Sequence, residues 1–203
     1  MPLLYVETNL LLGVATGRLR SLDGLFHDAS SSVRLAIPAV SVMEAFTAGL
    51  REQATNREFS QRVRSRIEQI RESGQLPEFA DMRARLEEAL LFADRALVQV
   101  QSRLAAAVEI SVRRFSVVQF EPADALAALN DVVCKQPTDN LILHTILRHA
   151  ASDSDPSKAF FSQNLADFTI NGGRDRLRSA GVAALLATTE ALDGWLAAAA
   201  RAS

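Results

Sequence analysis

The chain has 203 residues, is 48% hydrophobic and carries a formal net charge of −2 at pH 7, which suits one globular domain and excludes the large excess of base that a bulk nucleic-acid coat carries. Its single cysteine, Cys134, excludes an intramolecular disulfide and a cysteine-rich zinc site. No segment reaches the ~20 apolar residues of a membrane span and the start lacks the basic region of a signal peptide, so we expect a cytoplasmic protein.

Apolar runs and helical spacings predict an alternation of strands and helices. In chain order we predict a strand over 3–6, helices over 10–15 and 19–29, a strand over 33–37, helices over 41–72 and from 79 to about 108, a strand over 115–120, helices over 122–133 and 138–151, strands over 159–162 and 182–186, and a helix over 189–200. Thr8 or Asn9 is expected to cap the first helix, and Thr138 with Asp139 the later one. Strands separated by helices imply a parallel sheet that is covered on both faces.

The two long helices between the second and third strands are expected to form an antiparallel hairpin at about 40–113. The segment "ESGQLPE" at 72–78 contains a glycine and a proline, which predicts the turn between them. Each helix would be ~50 Å long at 1.5 Å per residue, and we interpret the pair as a scaffold. Arginines of the first helix alternate with glutamates, which favours a solvated face over a ridge that tracks RNA phosphates.

Acidic and amide side chains from remote parts of the sequence fall where strands end or helices begin. Glu7 follows the first strand, Glu44 lies early in the helix after the second, Asp139 starts a later helix, and Asn164 and Asp167 follow the fourth strand. The carboxyl ends of parallel strands gather at one edge of a sheet, where clustered acids repel one another unless a cation screens them. Oxygen ligands without histidine or cysteine select Mg²⁺ or Mn²⁺, and such an ion serves phosphodiester hydrolysis.

Four segments, "LLYVETNLLL", "IPAVSVMEAF", "PTDNLILHTIL" and "AFFSQNLADF", resemble the PIN-domain nucleases in their order and context. The resemblance spans nearly the whole chain. It implies an α/β, PIN-like fold with a central parallel five-stranded sheet of order 3-2-1-4-5 flanked by helices. We therefore expect a single PIN-like domain over 1–203, with the long helical hairpin as an extension.

The resemblance also implies which residues carry the site. Catalytic carboxylates would be Glu7, Glu44, Asp139 and Asp167, and the metal ligands would be these four together with Asn164. Glu7 stands where the family usually has aspartate, and Asn164 is neutral at the fourth acidic position. The polar residues that orient the acids would be Thr8, Asn9 and Ser162.

The implied activity is Mg²⁺- or Mn²⁺-dependent hydrolysis of RNA by an endoribonuclease, as in the toxin of many bacterial toxin–antitoxin pairs. The implied partners are RNA, an antitoxin protein and a second copy of the chain in a homodimer, without a membrane. Arg174, Arg176 and Arg178 are the candidate RNA contacts. Two alternatives are a PIN-like module with weakened catalysis that binds RNA or a protein through the hairpin, and a structure-specific DNA nuclease.

Overall fold

The structure, a computed structural model, describes residues 1–19, 33–73 and 77–202. Within these ranges the chain forms five strands and eight helices. In chain order they are β1 (Leu3–Val6), α1 (Thr8–Ala15), β2 (Arg34–Pro38), α2 (Ala39–Ser73), α3 (Pro77–Arg114), β3 (Ser116–Val118), α4 (Pro122–Asn130), α5 (Pro137–Ser152), β4 (Lys158–Phe161), α6 (Leu165–Thr169), α7 (Gly173–Ser179), β5 (Val182–Leu186) and α8 (Thr189–Ala202). Beyond Leu19, the helix predicted over 19–29 lies outside the described residues, as does the middle of the turn predicted at 72–78.

All five strands run parallel in one sheet, in the order β3-β2-β1-β4-β5. Strand β1 is central: its Leu4 pairs with Leu35 of β2 on one side and with Ala159 of β4 on the other. Every residue of β1 is fully buried, as expected for a parallel strand that helices cover on both faces. The α/β class predicted from the sequence is confirmed, and the strand order is the one that the resemblance implies.

One face of the sheet packs against α5. Leu3 and Tyr5 of β1 belong to a buried cluster that includes Ile142 and Ile146 of α5. Each such side chain stabilises the fold by roughly 1.5–3 kcal/mol when fully buried. This packing fixes α5 on the sheet and thereby sets the position of its first turn.

The strand order reverses between β1 and β4, because the chain adds β2 and β3 on one side of β1 and then β4 and β5 on the other. In open parallel sheets such a reversal opens a crevice outside the carboxyl ends of the two strands. The first residues beyond these ends are Glu7 after β1 and Ser162 after β4.

The chain packs as two compact units, Met1–Ala45 with Leu104–Ser203, and Phe46–Arg103. In the second unit α2 and α3 run antiparallel: the Ser60 hydroxyl donates to Asp94 Oδ1 at 3.3 Å, and Arg64 pairs with the same carboxylate at 3.8 Å. Val63 and Ile70 of α2 are buried there. No helix within the described ranges is long and apolar enough to cross a membrane.

Some boundaries differ from the sequence prediction. Helix α1 begins at Thr8, so its N-cap is Glu7 and not Thr8 or Asn9. Strand β3 covers only residues 116–118, and α4 ends at Asn130, where the N–H of Asp131 bonds to the Ala127 carbonyl. The short helices α6 and α7 were not predicted, because the glycines and polar residues around them are also typical of turns.

Candidate functional site

Glu7 stands where the central strand meets its helix. Its backbone is extended, with φ −134° and ψ −173°, and its Oε2 accepts a hydrogen bond of 2.8 Å from the backbone N–H of Asn9. Glu7 therefore caps α1 and satisfies one of the free N–H groups of the first turn. The side chain is only 2% exposed, and its second oxygen, Oε1, has no hydrogen-bond partner among the described residues. A buried carboxylate oxygen without a partner is costly unless a cation or a proton neutralises it.

The pKa of Glu7 is shifted by its burial, by hydrogen bonds and by other acids nearby. This pKa is raised from 4.5 to about 7, chiefly by burial and to a smaller extent by the charges of Asp139 and Glu44. The Asn9 N–H and the Ser162 hydroxyl oppose this shift. Three carboxyl groups from different parts of the sequence therefore lie close enough to repel one another.

Glu44 reaches the site from α2, which begins directly after β2. The Thr8 hydroxyl contacts two acceptors on this helix, Glu44 Oε2 at 2.5 Å and the Ser41 carbonyl oxygen at 3.2 Å. Thr8 thus orients the Glu44 carboxylate through Oε2, and Oε1 of Glu44 does not take part in this hydrogen bond.

Asp139 lies inside the first turn of α5 and does not cap it. The helix starts at Pro137 with Gln136 as N-cap, so the expected cap at Thr138 and Asp139 was wrong by two to three residues. The pKa of the half-buried Asp139 is raised from 3.8 to about 6, first by burial and then by the charges of Glu44 and Asp167. A carboxylate in the first turn of a helix is ordinarily stabilised by the helix dipole, so this shift indicates that burial and acidic neighbours prevail.

Asn164 and Asp167 form a connected pair after β4. The Asn164 side-chain N–H donates to Asp167 Oδ2 at 2.6 Å, and the Asn164 backbone N–H donates to the hydroxyl of Ser162 at 3.0 Å. Ser162 is fully buried and Asn164 is exposed. Because Asp167 acts on the pKa of Asp139, this pair lies at the same edge of the sheet as the other acids.

The predicted acids thus form one electrostatic group. Within the part of the chain that the structure describes, the charges that raise the pKa values of Glu7 and Asp139 all come from acidic side chains. In that same part, no three histidine, cysteine, aspartate or glutamate side chains are arranged as a ready-made metal group. The oxygen-only donor set and the unpaired Glu7 Oε1 nevertheless fit a hard divalent cation.

The three arginines predicted to contact RNA differ in their contacts. Arg176 pairs with Asp131 at 2.8 Å and also donates to the Asn171 carbonyl at 2.9 Å. Arg174 and Arg178 are exposed on the surface of α7. The guanidinium of Arg176 is therefore occupied by contacts within the protein. Arg174 and Arg178 are better placed to bind a ligand from solution.

Asn140, which the sequence analysis did not single out, fastens the loop that faces the acids. Its Oδ1 accepts from the backbone N–H groups of Val133 and Cys134 at 2.9 and 3.0 Å. Its Nδ2 donates to the carbonyls of Ala128 and Asp131 at 2.8 and 3.1 Å. The side chain is 3% exposed, so it uses its full hydrogen-bonding capacity in a buried position. A polar residue next to Asp139, directly before the apolar residues 141–143, was the available signal.

Cys134 lies on the same loop, and two of the acids affect the pKa of its thiol. It is buried, and desolvation together with the charges of Asp139 and Asp167 raises its pKa to about 12. The thiol is therefore kept protonated beside the acidic group.

No protein-family model matches this chain, and no curated protein matches it. The function of these residues therefore has to be inferred from their chemistry.

Proposed function

We propose that this chain is a PIN-like, metal-dependent endoribonuclease that hydrolyses RNA phosphodiester bonds. The observation that carries the proposal is Glu7, a carboxylate that is 2% exposed, has one unpaired oxygen and is repelled by two further acids. A fold keeps such an arrangement at a cost, and a divalent cation offsets that cost by pairing with the oxygens.

The residues suited to hold Mg²⁺ or Mn²⁺ are Glu7, Glu44, Asp139 and Asp167, with Asn164 at the exposed end. When bound, such an ion activates water and stabilises negative charge on a phosphate oxygen. Glu7 contributes one oxygen, because the other caps α1, and Thr8 fixes the orientation of Glu44. Since the pKa values of Glu7 and Asp139 are about 7 and 6, binding an ion near neutral pH requires these groups to release protons.

The family assignment is supported by topology and by motif placement. Glu7 and Asn164 follow the two strands at which the strand order reverses, and Glu44 and Asp139 lie in the early turns of two helices. These positions support the proposal of a PIN-like fold. In line with that resemblance, we propose that the protein acts as the toxin of a toxin–antitoxin pair.

The experiment is cleavage of a generic single-stranded RNA with Mn²⁺ and with a chelator. The Asp139→Ala variant should abolish the metal-dependent cleavage. Asp175→Ala is the matched control, because Asp175 also lies in the first turn of a helix, α7, but is exposed. Undiminished cleavage by Asp139→Ala, or cleavage that ignores the chelator, would refute the assignment.

Two other functions remain as alternatives. A PIN-like module with weakened catalysis would bind RNA or a protein equally well with and without chelator, and would cleave nothing. The engagement of Glu7 Oε2 in a helix cap favours this alternative, because it leaves one oxygen fewer for a cation. A structure-specific DNA nuclease would cleave branched DNA in preference to single-stranded RNA, so the same assay with a DNA flap distinguishes it.

We further propose that the homodimer forms through the surface of α4. Leu126 and Leu129 of this helix are 61% and 77% exposed, and Val132, which follows the helix, is 66% exposed. Leu129 and Val132 border a groove whose apolar lining includes Ala128 and Leu141. A patch that offers both protruding side chains and a groove can be self-complementary, which a two-fold interface requires. The antitoxin and the RNA target remain proposals that rest on the family resemblance.

A further inference from the structure

The described part of the chain has one other buried side-chain polar atom without a hydrogen-bond partner besides Glu7 Oε1, and it is the Oγ of Ser41. Ser41 is 0% exposed. A buried hydroxyl without a partner destabilises the fold, so a serine at this position needs a reason that packing does not give. Alanine would occupy the same space with no polar atom to bury.

Ser41 lies next to the acids that the proposed function uses. It occupies the first turn of α2, three residues before Glu44, so both side chains lie on one side of the helix. Its carbonyl oxygen accepts from the Thr8 hydroxyl, which also bonds to Glu44. Thr8 directly follows Glu7, so the two unpaired buried atoms belong to residues that the same threonine connects.

The two unpaired atoms are chemically complementary. A carboxylate oxygen only accepts hydrogen bonds, whereas a hydroxyl both donates and accepts them. A water molecule can serve both groups, and buried waters characteristically bridge polar groups that lack protein partners. Beside an acidic group that binds a divalent ion, such a water would belong to the coordination shell of that ion.

We propose that Ser41 is a positioning residue of this site, whose hydroxyl hydrogen-bonds to a water molecule in the coordination shell of the bound metal ion. This inference rests on the proposed function, because it presupposes that the acids hold an ion. It assigns to the chain a residue that neither coordinates the ion nor touches the RNA directly. It also accounts for a serine whose oxygen opposes stability.

The test is Mn²⁺ binding without RNA, measured by isothermal titration calorimetry on the full chain, together with the Tm in chelator. In Ser41→Ala, loss of one hydrogen bond to the ion's water should weaken the Mn²⁺ Kd about three- to tenfold. Removal of an unsatisfied hydroxyl should raise the Tm in chelator by about 2–4 °C.

Ser111→Ala is the matched control. Ser111 is also a helical serine with 0% exposure, but its hydroxyl donates to the Ala107 carbonyl at 2.8 Å. Its replacement should lower the Tm and leave the Mn²⁺ Kd unchanged.

The Kd in Ser41→Ala decides the proposal. A Kd equal to that of the wild type overturns the role of Ser41 while leaving the metal site intact. A wild-type chain that binds no Mn²⁺ overturns both the proposed function and this inference. A weaker Kd in Ser41→Ala together with an unchanged Kd in Ser111→Ala supports the assignment.

Discussion

Replacing Glu7 by glutamine should change how the stability of the protein depends on pH. Between 4.5 and about 7 the folded state keeps a proton on Glu7 that the unfolded state releases. Folding is therefore favoured at low pH, and the free energy of unfolding falls as the pH rises through this window. The difference between the two pKa values corresponds to about 3 kcal/mol at pH 8, when the group is ionised in both states. At 2% exposure, solvent screening reduces this figure little.

The assay is urea denaturation of the wild type and of Glu7→Gln in chelator, at pH 5 and pH 8. Between these pH values the wild type should lose about 2–3 kcal/mol more than the variant. Comparing the change with pH, instead of the absolute stability, removes the separate cost of burying the new amide. Glu52→Gln, on the exposed face of α2, shows whether a glutamate-to-glutamine change in itself alters the pH dependence.

The same denaturation experiment with added Mn²⁺ connects this prediction to the proposed function. Mn²⁺ at about 100 times its Kd should stabilise the wild type by about 2.7 kcal/mol at pH 8, and should stabilise Glu7→Gln much less. Equal pH dependence of the two proteins in chelator would refute the buried, unpaired carboxylate. Equal stabilisation by Mn²⁺ would refute the role of Glu7 as a ligand.

Three further predictions follow from the same structure. With pKa values of about 6 and about 7, Asp139 and Glu7 must lose protons to bind a cation, so calorimetry should show Mn²⁺ affinity falling about tenfold or more from pH 7.5 to pH 5.5 in the wild type, and falling less in Asp139→Asn. Asn140→Ala leaves buried backbone groups without hydrogen-bond partners and should lower the free energy of unfolding by about 2–4 kcal/mol in urea denaturation. Asn130→Ala, at an exposed position, should lower it by less than about 0.5 kcal/mol, and equal losses would contradict the role of Asn140 in holding the loop. Leu129→Arg should yield monomers in sedimentation velocity, whereas Leu91→Arg, at an exposed leucine of α3, should leave dimers; dimers in both variants would move the interface elsewhere.

Much of the scaffold could be predicted because its signals are local. Leu3–Val6 is an uninterrupted apolar run that stops at Glu7, and its predicted bounds are those of β1. Segments as long as α2 and α3 repeat their helical spacing often enough to outweigh a local irregularity. The edge at which the acids gather then followed from the parallel order of the strands.

The parts that sequence reasoning missed depend on contacts between distant residues. Glutamate is not a favoured N-cap, so the cap at Glu7 becomes visible only when the side chain is seen folded back onto the Asn9 N–H. The role of Asn140 depends on the path of a loop, which local sequence patterns do not predict. In the sequence, Ser41 resembles any serine near a helix start. It is distinguished only by its buried hydroxyl, which has no hydrogen-bond partner among the described residues.

The cap at Glu7 also provides a spectroscopic probe of the site. The backbone N–H of Asn9 is held by one oxygen of a carboxylate whose other oxygen is unpaired. Any cation that withdraws charge from this carboxylate changes the strength with which that amide proton is held. Hydrogen–deuterium exchange and the amide chemical shift of Asn9 would therefore register ion occupancy in the absence of RNA and of turnover.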